Sequence, residues 1–363
     1  MRIVQVIPEL KLAGAEIMCE SLSYELMALG HDVTVVSLYN TRTPITERLE
    51  QAGIKVEFLG KKRGLAPSII FKLKKILKKQ RADVVHTHLH CTKYAVPAAI
   101  LAGVGRRVHT LHNIAKKESG SLDRGLNKFF FKRCGLVPVA LSAAVQDTVV
   151  EEYRIDKDKI PVVFNGIDLS KCIPKESYSV NGSFRILHIG RFREVKNHRG
   201  LIDAFEILHS RHFESELLLI GDGEIKSEIE SLVSERGLGG CVKLLGLQSD
   251  VHAFLHDADL FTLPSHYEGV PMTLIEAMGT GLPIVATAVG GVPDMLDDRC
   301  AILTQVDSNE IAEAFERLYS SEEIREAYGK NALARSCDFS SKIMAEKYLQ
   351  IYNEKFDRSL ADF

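Results

Sequence analysis

Residues 184–197 read Phe184-Arg185-Ile186-Leu187-His188-Ile189-Gly190-Arg191-Phe192-Arg193-Glu194-Val195-Lys196-Asn197, an apolar run stopped by a glycine and then by cations. Residues 2–16 open in the same way: Arg2-Ile3, a β-branched run to Ile7, and a turn that contains Gly14. A short run that is apolar nearly throughout suits a strand buried on both faces, which is the condition of a parallel sheet. Its appearance at the start and again at mid-chain marks the first strand of each of two domains. Working outward, further strands are predicted at 33–38, 55–59, 83–87, 107–111, 137–141 and 161–164, then at 216–220, 242–245, 260–263, 283–286 and 301–303. Helix-length amphipathic stretches such as 16–29 and 66–80 separate them. Strand and helix in alternation give parallel sheets covered by helices on both faces. The expected fold class is α/β, two Rossmann-like domains whose sheets face each other across a cleft.

The domains are expected at 1–168 and 184–339. Residues 169–183 read as a linker, being polar, aperiodic and interrupted by Pro174 and Asn181-Gly182. The C-terminal stretch 340–363 is expected to supply a helix that packs back on the first domain.

Composition excludes several classes. A chain of 363 residues with 45% hydrophobic and 26% charged residues is neither disordered nor fibrous. A net charge of −2 does not suit a protein that neutralises nucleic acid. No apolar run reaches the roughly 18–20 residues that span a bilayer, and the N-terminus lacks a secretory h-region. The seven cysteines are scattered and never spaced as C-x-x-C, which points to reduced thiols in a cytoplasmic setting.

Two constellations carry chemistry. Ser265-His266-Tyr267-Glu268-Gly269-Val270-Pro271-Met272-Thr273-Leu274-Ile275-Glu276 follows a buried strand, and Pro271 suits a first helical turn. A helix N-terminus there offers free N–H groups to an anion. Glu268 and Glu276 stand eight residues apart, at most about 12 Å along a helix, comparable to a sugar–diphosphate–ribose span. One carboxylate can take sugar hydroxyls and the other ribose hydroxyls, the alternative being a capping Glu268 and a solvated Glu276. Arg191 and Lys196 emerge beyond the strand at 184–189, where two cations can neutralise a diphosphate. Their alternative is ordinary loop solvation.

Together with Ala13-Gly14-Ala15-Glu16, Asn165-Gly166-Ile167-Asp168, Gly221-Asp222-Gly223 and Gly290-Gly291-Val292-Pro293-Asp294, these motifs resemble the retaining glycosyltransferases of family 4, of GT-B fold, over nearly the whole chain. The resemblance implies a nucleotide-diphosphate-sugar donor, a UDP-sugar favoured, and a glycan or lipid-linked acceptor. It implies hexosyl or N-acetylhexosaminyl transfer in the synthesis of cell-surface polysaccharide or glycoconjugate. No metal or other cofactor is expected, Arg191, Lys196 and the helix N-terminus standing in for a divalent cation. By the same resemblance Glu268 holds the sugar, Glu276 the ribose, and Gly269, Val270, Pro271 and Met272 face sugar and phosphate. Gly14 permits close approach of the first-domain loop, although the family's Gly-Gly pair is here Ala13-Gly14. Leu245 and Gly246, with Asp250, surround the base, and no side chain among them selects uridine over guanosine. His112, in Thr110-Leu111-His112-Asn113, matches the family's His near the reacting sugar; the alternative is a structural His. The departing phosphate oxygen takes the acceptor's proton, so no protein nucleophile is required.

His86, His88 and His90 share one strand face, yet no Cys or carboxylate joins them at zinc-ligand spacing. Residues 61–81 carry nine cations (Lys61, Lys62, Arg63, Lys72, Lys74, Lys75, Lys78, Lys79, Arg81) and no acid. Ile69, Ile70, Leu73, Ile76 and Leu77 form a stripe expected to pack inward, leaving an electrostatic attraction to anionic membrane. The alternative is a solvated surface helix. The chain is therefore read as a glycosyltransferase, cytoplasmic and peripheral on the membrane. The rival readings are a GT-B sugar-nucleotide epimerase or a non-catalytic nucleotide- or glycan-binding protein.

Overall fold

Both sheets of the protein turn back on their first strand. In a computed structural model, which describes residues 1–11, 13–118 and 120–354, the chain divides into residues 1–166 with the segment from 341, and residues 167–340. The first unit holds β1 (Arg2–Ile7), β2 (Asp32–Ser37), β3 (Lys55–Phe58), β4 (Val84–His88), β5 (Arg106–Leu111) and β6 (Leu136–Ala140). They are all parallel, in the order β3-β2-β1-β4-β5-β6. Gln5 of β1 stands opposite Val35 on one side and His86 on the other.

Right-handed crossovers in opposite directions from β1 put helices on both faces. Gly14–Ala28 and Pro44–Gln51 cover one face, where Leu22, Leu26, Ile45 and Leu49 share a core with Met344, Tyr348 and Ile351 of the helix Ser341–Asn353. Ser68–Gln80 and Thr92–Ala102 cover the other, through Ile69, Leu73, Leu77, Tyr94 and Ala98. Residues 355–363 of the expected C-terminal helix lie outside the described residues.

The second unit holds β7 (Phe184–Ile189), β8 (Ser215–Ile220), β9 (Val242–Gly246), β10 (Leu260–Leu263), β11 (Ile284–Thr287) and β12 (Ile302–Thr304). They too are parallel, in the order β12-β11-β10-β7-β8-β9.

Two expectations need correction. Residues 161–164 form no strand of their own, only a single bridge from Val162 to Ala140, because Pro161 has no N–H to continue a ladder. Residues 169–183 are not a free tether but part of the second unit. The Lys175 ammonium donates to the carbonyls of His256 (2.9 Å) and Ala258 (2.6 Å), and the Tyr178 hydroxyl donates to the Gly281 carbonyl (2.9 Å). These contacts satisfy carbonyls at the C-terminal ends of two helices, a role that a polar composition alone does not reveal.

Candidate active site

In an open parallel sheet, ligands bind beyond the carboxyl ends of the strands where the strand order reverses. In the second unit that point lies between β7 and β10, which brings the loop 190–197 beside the loop 264–271. The two loops are sewn together by backbone and amide bonds. The His266 N–H donates to the Val195 carbonyl at 2.8 Å, and Asn197 Nδ2 donates to the Pro264 carbonyl at 3.0 Å.

Glu268 is buried at this junction, and its Oε1 lies 2.7 Å from Lys196 Nζ and 2.5 Å from Ser265 Oγ. Sequence reasoning assigned Lys196 and Glu268 to different parts of a ligand; the structure adds that they form an ion pair, with Ser265 as a further partner. The backbone of Glu268 is held as firmly as its side chain. Its carbonyl accepts from the Gly291 N–H at 3.1 Å, and a Cβ on Gly290, whose φ is +54°, would stand 1.8 Å from that oxygen. Gly290 is thus needed for close approach. Gly221 serves the companion loop, since a Cβ there would meet the Gly190 carbonyl oxygen at 2.0 Å.

Pro271 is not in the first helical turn, as its ring suggested, but is the extended residue just before the helix Met272–Thr280. No side chain caps that end, so the first-turn N–H groups beside Gly269 and Val270 are presented without a side-chain acceptor. Two turns along, Glu276 is partly buried, and loss of water around its carboxylate pushes its pKa up to about 7. The Cys172 thiol is held at about 11 by burial, then by the negative charges of Glu276 and Asp168. Arg191 is exposed and has no ion pair within 4 Å among the described residues. Leu245 and Gly246 end β9 at the sheet's edge, where Gly246 has φ +67° and its carbonyl accepts from Gly221 N–H at 2.9 Å.

In the first unit, His112 follows β5 and joins a buried chain of side chains. Gln5 Nε2 donates to the Cys19 carbonyl (3.3 Å) and to Ser23 Oγ (2.6 Å), so its Oε1 faces His88 Nε2 at 2.8 Å. The tautomers follow by assignment. His88 Nε2 must donate, and burial lowers the pKa of His88 well below its ordinary value, so its Nδ1 can only accept. His112 Nε2, 3.1 Å from that Nδ1, therefore carries its hydrogen, and the lone pair of His112 sits on its own Nδ1. Burial, with the nearby His109, lowers the pKa of His112 to about 3.

The comparisons with known proteins fit this geometry. A family model described as Glycosyltransferase Family 4 matches residues 12–171, and one described as Glycosyl transferases group 1 matches residues 172–335. A UDP-Gal:alpha-D-GlcNAc-diphosphoundecaprenol alpha-1,3-galactosyltransferase of Escherichia coli is 30% identical over 260 residues, 66% of this chain and 67% of that protein. An N-acetyl-alpha-D-glucosaminyl L-malate synthase of Bacillus anthracis is 29% identical over 303 residues, 77% of each chain. Among solved structures, Anabaena HepE in complex with UDP superposes with a TM-score of 0.83 at 20% identity, covering 96% of this chain and 99% of that one. The chain belongs to the family 4 glycosyltransferases. Its fold is GT-B, and it is an enzyme that transfers a sugar.

The glycosyltransferase has a second concavity that sequence reading did not find. A cavity of about 450 Å³ opens at the switch point of the first sheet, beyond the ends of β1 to β4, lined by Glu9, Lys11, Glu16, Tyr39, Lys61, Arg63 and His90 among others. The Lys61 ammonium donates to the carbonyls of Lys62 (3.0 Å) and Gly64 (2.7 Å) and so orders the loop that carries Arg63. The only available signal was position, since these residues follow separate strands and share no motif. Gly14 starts the helix Gly14–Ala28, but a Cβ there would meet no protein atom within 4 Å, so the expected demand for glycine is not made by the chain itself. The three histidines are also not alike. His86 and His88 lie on β4, with His86 bonded to Tyr352 and Thr110 at 2.7 Å each, whereas His90 lies beyond the strand at the cavity. No group of three or more His, Cys, Asp or Glu placed to hold a metal occurs among the described residues.

Proposed function

We propose that this glycosyltransferase moves a hexosyl or N-acetylhexosaminyl group from a UDP-sugar to a hydroxyl of a glycan or lipid-linked acceptor, with retention at the anomeric carbon, in the synthesis of a cell-surface polysaccharide or glycoconjugate. The observation that carries the reading is the Lys196–Glu268–Ser265 cluster at the second sheet's switch point, beside an uncapped helix start and the unpaired Arg191. Arg191, Lys196 and the first-turn N–H groups clamp the diphosphate, and Glu268 orients the sugar hydroxyls. Glu276 takes the ribose, while Leu245 and Gly246 flank the base. A UDP donor is supported by the UDP complex of the structural neighbour and by the UDP-Gal in the E. coli relative's name. Two cations beside a helix N-terminus supply the charge that a divalent ion supplies elsewhere, so turnover needs no metal.

Retention follows from the family resemblance, in which the departing phosphate oxygen itself serves as the base. A histidine lowered to about pH 3, as His112 is, is a poor proton acceptor near neutrality. Glu268 places one oxygen on Lys196 and Ser265, leaving the other for the sugar hydroxyls. The acceptor's proton then passes to the departing phosphate oxygen as the C1–O bond to that phosphate breaks and the bond to the acceptor oxygen forms. His112 contributes Nδ1 as an acceptor for a sugar hydroxyl. The cavity of the first unit receives the acceptor; Lys11 there is paired with Glu9 at 2.6 Å and Glu16 also lines it, so Lys61 and Arg63 are the cations that suit an acceptor carrying negative charge. The diphosphoundecaprenol acceptor of the E. coli relative is of that kind.

The basic helix Ser68–Gln80 attaches the enzyme to the cytosolic face of the membrane. No helix among the described residues is long and apolar enough to cross it. The test is a panel of UDP- and GDP-sugars with and without a diphosphate-linked lipid sugar, following nucleotide release and the anomeric configuration of the product by NMR. UDP release that the acceptor accelerates, with the donor's configuration kept, is expected. An inverted product, preference for GDP-sugars, or a new sugar nucleotide made without acceptor would overturn the reading.

A further inference from the structure

The connections β3 to β4, β4 to β5 and β5 to β6 all run in one direction across the first sheet, so right-handed crossovers lay their helices on one face. Ser68–Gln80 packs on Thr92–Ala102, and Thr92–Ala102 on Ser121–Arg133, making a single layer. The outer side of this layer is unusual in two respects. Leu122, Leu126 and Phe129 are 85%, 41% and 55% exposed, and their spacing of four and three residues places them on one stripe of the helix. Its opposite side is already occupied. The Asn127 Oδ1 accepts from Thr92 Oγ1 at 2.6 Å, Asp123 pairs with Lys93 at 2.7 Å, and Phe130 packs with Val96 and Leu136. The stripe therefore faces away from the protein. Phe71, on the basic helix at the other side of Thr92–Ala102, is 64% exposed as well.

Charge is the second respect. Lys74, Lys75, Lys78 and Lys79 have no carboxylate within 4 Å among the described residues, and neither do Lys128 and Arg133 beside the stripe. Elsewhere on the surface, cations such as Arg193, Arg199 and Lys243 pair with Glu224, Glu228 and Glu216. Exposed apolar side chains set among unpaired cations are complementary to a surface with negative headgroups over hydrocarbon.

We propose that this layer is a lipid-docking face in which Leu122, Leu126 and Phe129 enter the headgroup–acyl boundary of an anionic bilayer while the flanking cations meet its phosphates. This deepens the peripheral attachment argued above, which rested on the lysines of one helix and was electrostatic alone. The helix Ser121–Arg133 adds an apolar anchor whose strength does not depend on salt.

Sedimentation with phosphatidylglycerol–phosphatidylcholine vesicles tests it at low salt and at about 0.5 M salt, where the Debye length falls to a few Å. The parent is expected to bind strongly at low salt and to keep a residual binding at high salt. Leu122→Ser/Leu126→Ser/Phe129→Ser should reduce that residual by about tenfold or more, three apolar side chains being withdrawn, while much of the low-salt binding survives. Lys74→Gln/Lys75→Gln/Lys78→Gln/Lys79→Gln should do the reverse. None of these residues is in the donor-site loops or lines the first unit's cavity, so melting temperature and donor hydrolysis should match the parent's. The proposal is overturned if the serine variant sediments like the parent at both salt concentrations, or if the parent's binding vanishes at high salt. It is also overturned if light scattering without lipid shows a parent dimer that the serine variant breaks, because the stripe is then a protein interface. Loss of low-salt binding only in the lysine variant would leave the electrostatic attachment standing and remove the anchor.

Discussion

Replacing Glu268 by Gln keeps the shape of the side chain and removes its charge, which makes it the sharpest perturbation of the donor site. In the parent, one carboxylate oxygen serves both Lys196 at 2.7 Å and Ser265 at 2.5 Å, and the two side chains of the ion pair are 19% and 8% exposed. Breaking a buried pair by removing one partner costs about 3–5 kcal/mol. Lys196 keeps some contact with water and the Gln oxygen can still accept from it, so the loss should be smaller, about 1.5–3 kcal/mol, the worth of a charge-assisted hydrogen bond. Lys196→Met should lose a similar amount, and the double variant less than the sum, because the second removal no longer strands a charge.

The kinetic consequence is separable. A carboxylate that orients the sugar acts where positive charge develops at the anomeric carbon, so Glu268→Gln should lower kcat by a factor on the order of 10². On the proposed placement at the ribose, Glu276 is remote from bond breaking, and its contact should be equal in ground and transition states. Glu276→Gln should therefore raise donor KM with kcat nearly kept. Thermal melts beside steady-state kinetics, at a temperature where every variant is folded, make the comparison. A folded Glu268→Gln enzyme with near-parental kcat would refute the placement of the sugar, and additive losses in the double variant would refute the pairing.

Arg191→Ala should leave the melting temperature unchanged, since the side chain is exposed and unpaired, while donor KM rises by about tenfold or more for the loss of one charge-assisted contact. Parent activity should survive chelator; a reversible loss would overturn the metal-free reading. His88→Phe removes the acceptor that fixes the His112 tautomer, so the ¹⁵N shifts of His112 should move from one tautomer toward a mixture, with kcat falling and donor KM kept; unchanged shifts would refute the assigned chain. Glu276, raised by burial from 4.5 to about 7, costs the folded state nothing below about 4.5, an increasing amount between about 4.5 and 7, and a constant amount above. Glu276→Gln should thus gain stability relative to the parent as pH rises from about 4.5 to about 7, with no further gain above, read from melts between about pH 4 and pH 8.5. Ribose hydroxyls donate best to the ionised form, so the parent's donor affinity should rise over the same range and the variant's should stay flat.

How much of this was legible in the sequence depends on the range over which each interaction acts. Parallel strands buried on both faces write themselves as apolar runs, so all twelve strands of the two sheets follow from local pattern with shifts of one residue at most. The switch-point loops follow too, because first strand and glycine turn are adjacent in sequence. What the pattern does not carry is pairing across distance. Lys196 and Glu268 are 72 residues apart, and nothing local tells that their charges meet. Gln5 and His88 come from β1 and β4 and His112 from just beyond β5, and their chain exists only because these three strands are neighbours in the sheet. The stripe on Ser121–Arg133 was hidden for a different reason. Its sequence, Leu122-Asp123-Arg124-Gly125-Leu126-Asn127-Lys128-Phe129-Phe130-Phe131, offers apolar residues on two sides of a helix, and periodicity cannot decide which side meets the core. The decision falls to Asn127 and Asp123, whose partners Thr92 and Lys93 lie on the helix alongside. A polar residue is buried only where a bond awaits it; once those two bonds turn Asn127 and Asp123 inward, Leu122, Leu126 and Phe129 have nowhere to go but out.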